Sequence, residues 1–410
     1  MANTARRICG RRAYPSPIVD QKLNAKLLYL ATEDWAFHQH FMVMARAARL
    51  SGFDVAVATR VQAHGARIAD EGIRVIPLAI ERGSLGLQSA FAAIKSIVKI
   101  ISLERPDIVH CIGLPMVVLG GLAARSMRVK KIVLAPIGLG HLWLSKDLHI
   151  KILRTLVRLF VGLLLKGSNV HYLFENRDDP AEFGLSLQDD QLTIVGGAGV
   201  DKEAFPLTPD PPSSTIKIAV VSRMLRSKGI AESVAAVQMA RTSGANIELH
   251  LFGIPDPPNP GSFSRAELHT FSKLEGVYWH GQTEDISKVW REHHIAMLLS
   301  YREGLPRSLV EAAASGRPLV TSDVAGCREI VRDGVEGFLV QKYDVAQAAD
   351  RLAQLAGNPD LRRRMGLAAN ERFKEEFTAL KVGETMVSLY RHLLEENGSL
   401  ARPDDIARLK

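Results

Sequence analysis

The sequence predicts two consecutive α/β domains, each built on a doubly wound parallel sheet. Short apolar runs typical of buried strands alternate with helical patterns along most of the chain. The length of 410 residues is too great for one ordinary hydrophobic core. A polar, proline-rich segment at 203–215 separates two such alternating series, and we interpret it as the linker between the domains.

The first domain, 23–202, shows repeated strand-like runs with helical patterns between them. These runs lie at 26–32, 54–59, 73–78, 106–113, 130–140, 171–176 and 191–201. Helical spacing of apolar residues covers 40–52 and 87–103. This alternation indicates βαβ units and therefore parallel strand pairing.

The second domain, 216–385, repeats the pattern and ends in a helical region at 344–396. Its strand-like runs lie at 216–223, 247–253, 276–281, 295–300, 317–323 and 337–340. We expect the final segment, 386–410, to form a helix that crosses back to the first domain. Ligands of such sheets bind beyond the carboxyl ends of the strands, so functional residues are expected there.

Charge and composition restrict the possible partners. Residues 1–200 hold 25 Lys and Arg against 16 Asp and Glu, whereas residues 201–410 hold 27 against 28. This basic excess predicts an anionic partner such as a membrane surface or a phosphorylated substrate. Only 6% of residues are aromatic and none are interleaved with arginines, so nucleic acid is not expected.

No targeting or membrane-spanning segment is evident. Residues 1–22 are basic without an apolar centre, and we interpret them as a disordered arm rather than a secretory signal. No run reaches the roughly 18 apolar residues needed to cross a bilayer. The three cysteines are far apart, which suggests neither disulfides nor a metal site and fits a reducing cytoplasm.

The segment SYREGLPRSLVEAAASGRP, 300–318, is the strongest functional signal. A helix starting at Pro306 would place Glu303 and Gly304 in the preceding loop and Glu311 further along the helix. Residues Leu305, Pro306 and Ser308 lie at the helix start. The free backbone N–H groups there, which proline lacks, would bind a phosphate. The carboxylates would accept hydrogen bonds from sugar or ribose hydroxyls. Alternatively, Glu303 is a surface acid and Glu311 part of a solvated helix face.

Two basic residues follow the first strand of the second domain. Arg223 leaves this strand and Lys228 comes five residues later, before a glycine. Arginine binds two phosphate oxygens at once and lysine adds a point charge, so a diphosphate could be held without a metal. Alternatively, this is a solvated basic turn. Backbone near Gly281 and Thr283 is expected to contact the nucleotide base.

Candidate acceptor-binding residues follow strands of the first domain. They are Glu33 after the first strand, and His110 and His141 at later strand ends. A histidine there could act as an acid or base, or donate a hydrogen bond to substrate, although a structural role is the alternative for each.

Segment 149–167 mixes apolar residues with Lys151, Arg154, Arg158 and Lys166. A basic amphipathic helix of this kind can lie in a membrane interface. It could equally pack on the sheet with its charges in water.

With these residues identified, residues 23–395 resemble the retaining glycosyltransferases of the GT-B fold in the large fourth sequence family. The resemblance rests on Glu303 to Glu311, SRMLRSKG at 222–229 and DVAGCREIVRDGVEGFLV at 323–340. It implies that Arg223 and Lys228 grip the donor diphosphate. It also implies that Glu303 contacts the transferred sugar and Glu311 the ribose hydroxyls.

A narrower resemblance concerns the first domain. LATEDWAFHQH, PDIVHCIGLP, PIGLGHLW and YLFENRDD look like the branch that extends polyprenyl-diphosphate-linked sugars for surface glycans, O-antigens and N-glycan precursors. Many members carry a histidine two positions after His110, where this chain has Ile112.

The resemblance implies a retaining, metal-independent transfer of a hexose or N-acetylhexosamine from a nucleoside diphosphate sugar, with UDP favoured and no other cofactor. The acceptor would be a lipid-linked saccharide, reached by a cytoplasmic protein bound peripherally at the inner membrane surface. The alternatives are a soluble GT-B enzyme acting on a small acceptor, and an epimerase or hydrolase with the same fold.

Overall fold

The computed structural model describes residues 25–79, 87–139, 143 and 147–395. Within them, the first sheet has seven parallel strands in the order β3-β2-β1-β4-β5-β6-β7. The strands are β1 (Lys26–Glu33), β2 (Asp54–Arg60), β3 (Arg74–Pro77), β4 (Ile108–Ile112), β5 (Lys131–Ala135), β6 (Val170–Phe174) and β7 (Leu192–Ile194).

The second sheet has six parallel strands in the order β10-β9-β8-β11-β12-β13. The strands are β8 (Ile216–Val221), β9 (Ile247–Phe252), β10 (Val277–Gly281), β11 (Ile295–Leu298), β12 (Leu319–Ser322) and β13 (Gly337–Val340). In both sheets the strand order reverses direction next to the first strand, which opens a crevice at the carboxyl ends.

Helices connect the strands in both halves. In the first half they are α1 (Asp34–His40), α2 (Met42–Leu50), α3 (Gly65–Asp70), α4 (Leu87–Glu104), α5 (Gly113–Ser126), α6 (Leu148–Leu159), which continues into a π-helical turn (Phe160–Leu164), and α7 (Asp179–Glu182). In the second half they are a 3₁₀ turn (Arg226–Lys228), α8 (Ile230–Thr242), α9 (Arg265–Phe271), α10 (Ile286–Glu292), α11 (Arg307–Ala314), α12 (Ala325–Ile330), α13 (Val345–Gly357), α14 (Pro359–Glu376) and α15 (Ala379–Glu395).

The predicted α/β fold with two parallel sheets is confirmed, and each predicted strand-like run contains an observed strand. Both faces of each sheet pack against separate clusters of buried apolar side chains. Strands buried on both faces have continuous apolar sequences, which explains why these runs could be found from the sequence. The predicted arm at 1–22 and the tail at 396–410 lie outside the described residues.

Helix α15 returns to the first half of the chain. Its residues Val382, Met386 and Tyr390 are buried in the same cluster as the apolar side chains of α2. Gly383 permits this close packing, because a Cβ there would lie 2.9 Å from the Cβ of Ala47. The returning helix begins at Ala379 rather than at residue 386.

A hydrogen-bonded chain of side chains ties α15 to the first sheet. The hydroxyl of Tyr390 lies 2.9 Å from the hydroxyl of Tyr29 and 2.8 Å from Nδ1 of His110. All three side chains are fully buried. Burial lowers the pKa of His110 to about 3, so its imidazole is neutral at physiological pH.

None of the helices in the described part of the chain combines the length and hydropathy needed to cross a bilayer.

We predict that Tyr390→Phe lowers the free energy of unfolding by about 1–3 kcal/mol, because it leaves buried polar atoms of Tyr29 and His110 without their partner. Urea denaturation followed by circular dichroism measures this change. Tyr278→Phe is the matched control, since its side chain is 43% exposed. Equal unfolding midpoints for the two variants would contradict the structural role of this hydrogen-bonded chain.

Candidate functional site

The centre of the candidate site is an ion pair between residues from two neighbouring strands. Lys228 ends the 3₁₀ turn after β8, and Glu303 lies in the loop after β11. The Lys228 ammonium lies 2.6 Å from Oε1 of Glu303. Glu303 is only 9% exposed, so it is not the surface acid of the alternative interpretation. Its second oxygen, Oε2, has no hydrogen-bond partner among the described residues.

The local sequence explains how Lys228 reaches this position. Gly229 adopts a left-handed conformation with a φ of 68°, and a Cβ there would lie 2.0 Å from the carbonyl oxygen of Leu299. Only glycine therefore lets this turn pack against the exit of β11. The Tyr301 amide also donates to the Ser227 carbonyl at 2.9 Å, which joins the two loops.

Arg223 lies immediately beyond β8 with about half of its side chain exposed. Its guanidinium contacts Oδ2 of Asp256 at 2.7 Å. Asp256 was not predicted, because it lies in a proline-rich loop that carries no recognisable motif. This ion pair holds the guanidinium in place and leaves part of it exposed to a ligand.

The predicted helix after Glu303 is present, with one correction. Pro306 is the N-cap, and α11 begins at Arg307 rather than at Pro306. Leu309 donates to the Pro306 carbonyl at 3.0 Å, so the Arg307 and Ser308 amides precede the first intrahelical bond. These amides can therefore donate to an anion.

Glu311 is buried on α11 rather than placed on a solvated face. Nε of Arg307 donates to its carboxylate at 2.8 Å. Burial raises the pKa of Glu311, and the Arg307 guanidinium partly offsets this effect. Arg307 was not predicted, although its spacing of four residues from Glu311 was visible in the sequence.

Gly281 and Thr283 lie at the far side of the same sheet edge. Gly281 ends the edge strand β10, and its carbonyl accepts the Gly253 amide at 2.7 Å. Strands β9 and β8 separate β10 from β11, which is roughly 14 Å of sheet. A ligand that contacts both places must be extended, as a nucleoside diphosphate sugar is.

The end of β6 in the first half approaches the Glu303 loop. The Asn176 side-chain amide donates to the Gly304 carbonyl at 2.9 Å, and Arg302 forms an ion pair with Asp179. A carboxylate oxygen of Glu175 is so near Gly304 that a Cβ there would lie 2.6 Å from it. The Glu175 carboxylate of the first half thus lies against the loop that carries Glu303.

Glu175 has a pKa above the usual value for a glutamate. Burial, followed by the nearby carboxylates of Asp179 and Glu303, raises its pKa to about 7. Sequence reasoning gave this residue no role, since it lies 128 positions before Glu303 and the two meet only through folding.

The structure corrects one of the three predictions for acceptor binding, that of His110. Glu33 is 6% exposed and forms an ion pair with Arg60 at 2.9 Å. His110 is fully buried against Tyr390 and does not reach the cleft, because it occupies a central strand covered on both faces. His141 lies outside the described residues.

In residues 25–79, 87–139, 143 and 147–395, no cluster of three or more His, Cys, Asp or Glu side chains is placed to hold a metal ion.

Family models match both halves of the chain. The model for glycosyl transferases group 1 matches residues 201–372, which include Arg223, Lys228, Glu303 and Glu311. The model described as glycosyl transferase 4-like matches residues 26–169.

Several proteins are similar to this chain in sequence. The α-maltose-1-phosphate synthase of Mycolicibacterium smegmatis is 29% identical over 52% of this chain, and the match spans 60% of that protein. The N,N'-diacetylbacillosaminyl-diphospho-undecaprenol α-1,3-N-acetylgalactosaminyltransferase of Campylobacter jejuni is 23% identical over 74% of this chain and 81% of its own length. The putative glycosyltransferase EpsD of Bacillus subtilis is 25% identical over 90% of this chain and 97% of its own length.

Solved structures share the fold. HepE of Anabaena, in complex with UDP and glucose, superposes with a TM-score of 0.70 at 17% identity over 90% of this chain and all of HepE. The sucrose-phosphate synthase of Thermosynechococcus elongatus gives 0.72 at 18% identity over 91% of this chain and all of its own.

We predict that Glu175→Gln raises the free energy of unfolding at pH 8 by about 1–3 kcal/mol and leaves it unchanged near pH 4.5. The raised pKa means that the folded state binds this proton more tightly. The free energy of unfolding of the wild type therefore decreases as pH rises from about 4.5 through the folded-state pKa of about 7, because Glu175 loses its proton. Urea denaturation at both pH values measures the difference. The exposed Glu203→Gln is the control, and a difference that does not vary with pH would contradict the prediction.

Proposed function

This chain belongs to the fourth family of GT-B glycosyltransferases, and on that premise we propose that it transfers a hexose or N-acetylhexosamine from a UDP-sugar to a polyprenyl-diphosphate-linked saccharide with retention of configuration. The observation that carries the proposal is the Lys228–Glu303 ion pair beside Arg223 and the start of α11. UDP is favoured because HepE, which shares the fold, binds it. The lipid-linked acceptor is supported by the name of the Campylobacter relative.

The donor diphosphate lies between Arg223, Lys228 and the first amides of α11 in this proposal. These groups supply two cations and a helix start, which together stabilise the negative charge of the leaving group. The reaction therefore needs no metal ion or other cofactor. Activity that persists in EDTA is the corresponding expectation.

Glu303 orients the transferred sugar. Its Oε1 is held by Lys228, which leaves Oε2 to accept a hydrogen bond from a sugar hydroxyl. Glu311 has one carboxylate oxygen bound by Arg307, and we assign the other to the ribose hydroxyls. Gly281 and Thr283 contribute to the base pocket.

Transfer takes place on one face of the sugar. The bond between the anomeric carbon and the diphosphate oxygen breaks, and a bond from the acceptor oxygen to that carbon forms on the same side. The acceptor proton moves to the departing phosphate. Arg223 and Lys228 stabilise the charge that develops on the diphosphate as its bond to the sugar lengthens.

The surface of α6 supports access to a lipid-linked acceptor. Five apolar residues spaced three or four apart share one helical face and are 51–73% exposed. These residues are Leu148, Ile152, Leu156, Leu159 and Leu163. Arg154 instead donates to the Trp143 carbonyl at 3.2 Å, and Arg158 lies 3.7 Å from Glu182. Val157 and Phe160 pack against the core of the first sheet, and Lys151 and Lys166 are exposed. The segment therefore packs on the sheet with these charges in water, and its outer face carries the exposed apolar stripe.

We assign this apolar stripe to an anionic bilayer surface at the inner face of the cytoplasmic membrane. The first 200 residues carry the basic excess, so anionic lipid complements this half of the protein. The apolar face would enter the boundary between headgroups and acyl chains, as in other interfacial helices.

We predict that Arg223→Ala and Glu303→Gln each lower kcat by about 10²–10³-fold, the usual effect of removing one group that stabilises a transition state. Transfer of sugar from radiolabelled UDP-sugars to a lipid-linked acceptor measures the change. Arg226→Ala is the control, because Arg226 pairs with Glu267 at 2.5 Å. Near-wild-type turnover by folded Glu303→Gln protein would contradict the assignment.

We predict that the double variant Ile152→Glu, Leu156→Glu binds vesicles containing phosphatidylglycerol more than tenfold less well than wild type. Each substitution removes about 1.5–3 kcal/mol of apolar burial. Liposome flotation measures binding. The control is Leu367→Glu, Leu380→Glu, which changes two leucines that are each 48% exposed elsewhere on the protein. Equal flotation of both double variants would argue against docking through α6.

A further inference from the structure

His40 is a first-domain residue next to the start of α11, and it is not among the residues assigned to the donor site above. It is the last residue of α1, the helix that directly follows the carboxyl end of β1. The neighbouring Phe37 and Phe41 are buried in the first-domain core and anchor this end of the helix. The position of His40 is therefore fixed by packing on either side.

The end of α1 contacts the start of α11 across the cleft. The Arg307 guanidinium donates to the main-chain carbonyl of Gln39, the residue just before His40. The same guanidinium binds Glu311 at 2.8 Å. Arg307 thus connects the first domain to α11, at the site where the diphosphate is proposed to bind.

Among the described residues, the charged groups that shift the pKa of His40 are all cations. They are Arg307 on α11, and Arg223 and Lys228 beyond β8. Burial and then these three charges lower the pKa of His40 to about 4, so its imidazole is neutral at physiological pH. The ring has no hydrogen-bond partner among the described residues.

A neutral, unpartnered imidazole beside three cations is suited to an incoming anion. A diphosphate would offset the positive charges and give the ring an acceptor for its N–H group. Both effects favour the protonated ring, because the cations that disfavour it become neutralised. Hydrogen bonds between charged groups are about twice as strong as neutral ones.

On the basis of the proposed function, we infer that His40 donates a hydrogen bond to the donor diphosphate across the cleft. Donor binding then depends on both domains, and the ligand holds the first domain against α11. Because the imidazole gains a proton as the diphosphate binds, the protein takes up protons on binding. His40 is thereby a binding residue for the donor, and it contacts the same leaving group as Arg223 and Lys228.

The test uses full-length wild type, His40→Ala and His40→Gln, with His38→Ala as the matched control. His38 lies on the same helix, but its ring centroid is 5.1 Å from that of His64. The charged side chains near His38 are Arg67, Arg46 and Glu71 rather than those of the donor site. Calorimetric titration with UDP at pH 7 in buffers of different ionisation enthalpy gives both affinity and proton uptake. Comparison between variants cancels the ionisation of UDP itself.

We expect His40→Ala to weaken UDP binding about tenfold to a hundredfold, the effect of losing one charge-assisted hydrogen bond. His40→Gln should recover part of the affinity because it keeps an N–H donor, but it should not recover the proton uptake. His38→Ala should match wild type in both measurements. Affinity and proton uptake of His40→Ala equal to those of wild type would overturn the inference. If wild type itself neither bound UDP nor transferred sugar, the proposed function would fail first.

Discussion

The Lys228–Glu303 ion pair is the interaction on which the rest of the site depends. Its two residues lie 75 positions apart and meet because β8 and β11 are neighbours in the second sheet. Both side chains are largely removed from water, so neither charge would be stable there without the other. The left-handed Gly229 allows the contact. Arg223 follows the same strand as Lys228, and α11 begins four residues after Glu303. The cations that stabilise a leaving diphosphate are already in place, so the protein does not need to reorganise during the reaction.

The first domain completes the site through polar contacts. Asn176 binds the carbonyl of Gly304, and Arg302 pairs with Asp179, so the loop that carries Glu303 touches the exit of β6. Arg177 similarly binds Glu329 of α12 through both its backbone and its side chain. Interfaces held by such polar contacts typically permit relative domain motion. This property would let the cleft open for a nucleotide sugar and close over it.

The sequence was sufficient to predict the two sheets and the helix that follows Glu303, because buried parallel strands and a helix start have local signatures. It was insufficient where residues distant in sequence meet. The pKa of Glu175 is raised because folding buries it and places it near the carboxylates of Asp179 and Glu303. His110 was assigned to the cleft because histidines at strand ends often bind ligands, but the side chain points into a covered face of the sheet. The direction in which α6 turns its leucines also depends on tertiary contacts of Arg154 and Arg158.

A double-mutant cycle on kcat for sugar transfer tests the central claim most directly. Lys228→Met, Glu303→Gln and the double variant are compared with wild type, each after its folding has been verified. If the ion pair acts as one unit, the double variant should be no slower than the slower single variant, with a coupling energy of roughly 1 kcal/mol or more. Independent, multiplicative losses from the two substitutions would contradict the account.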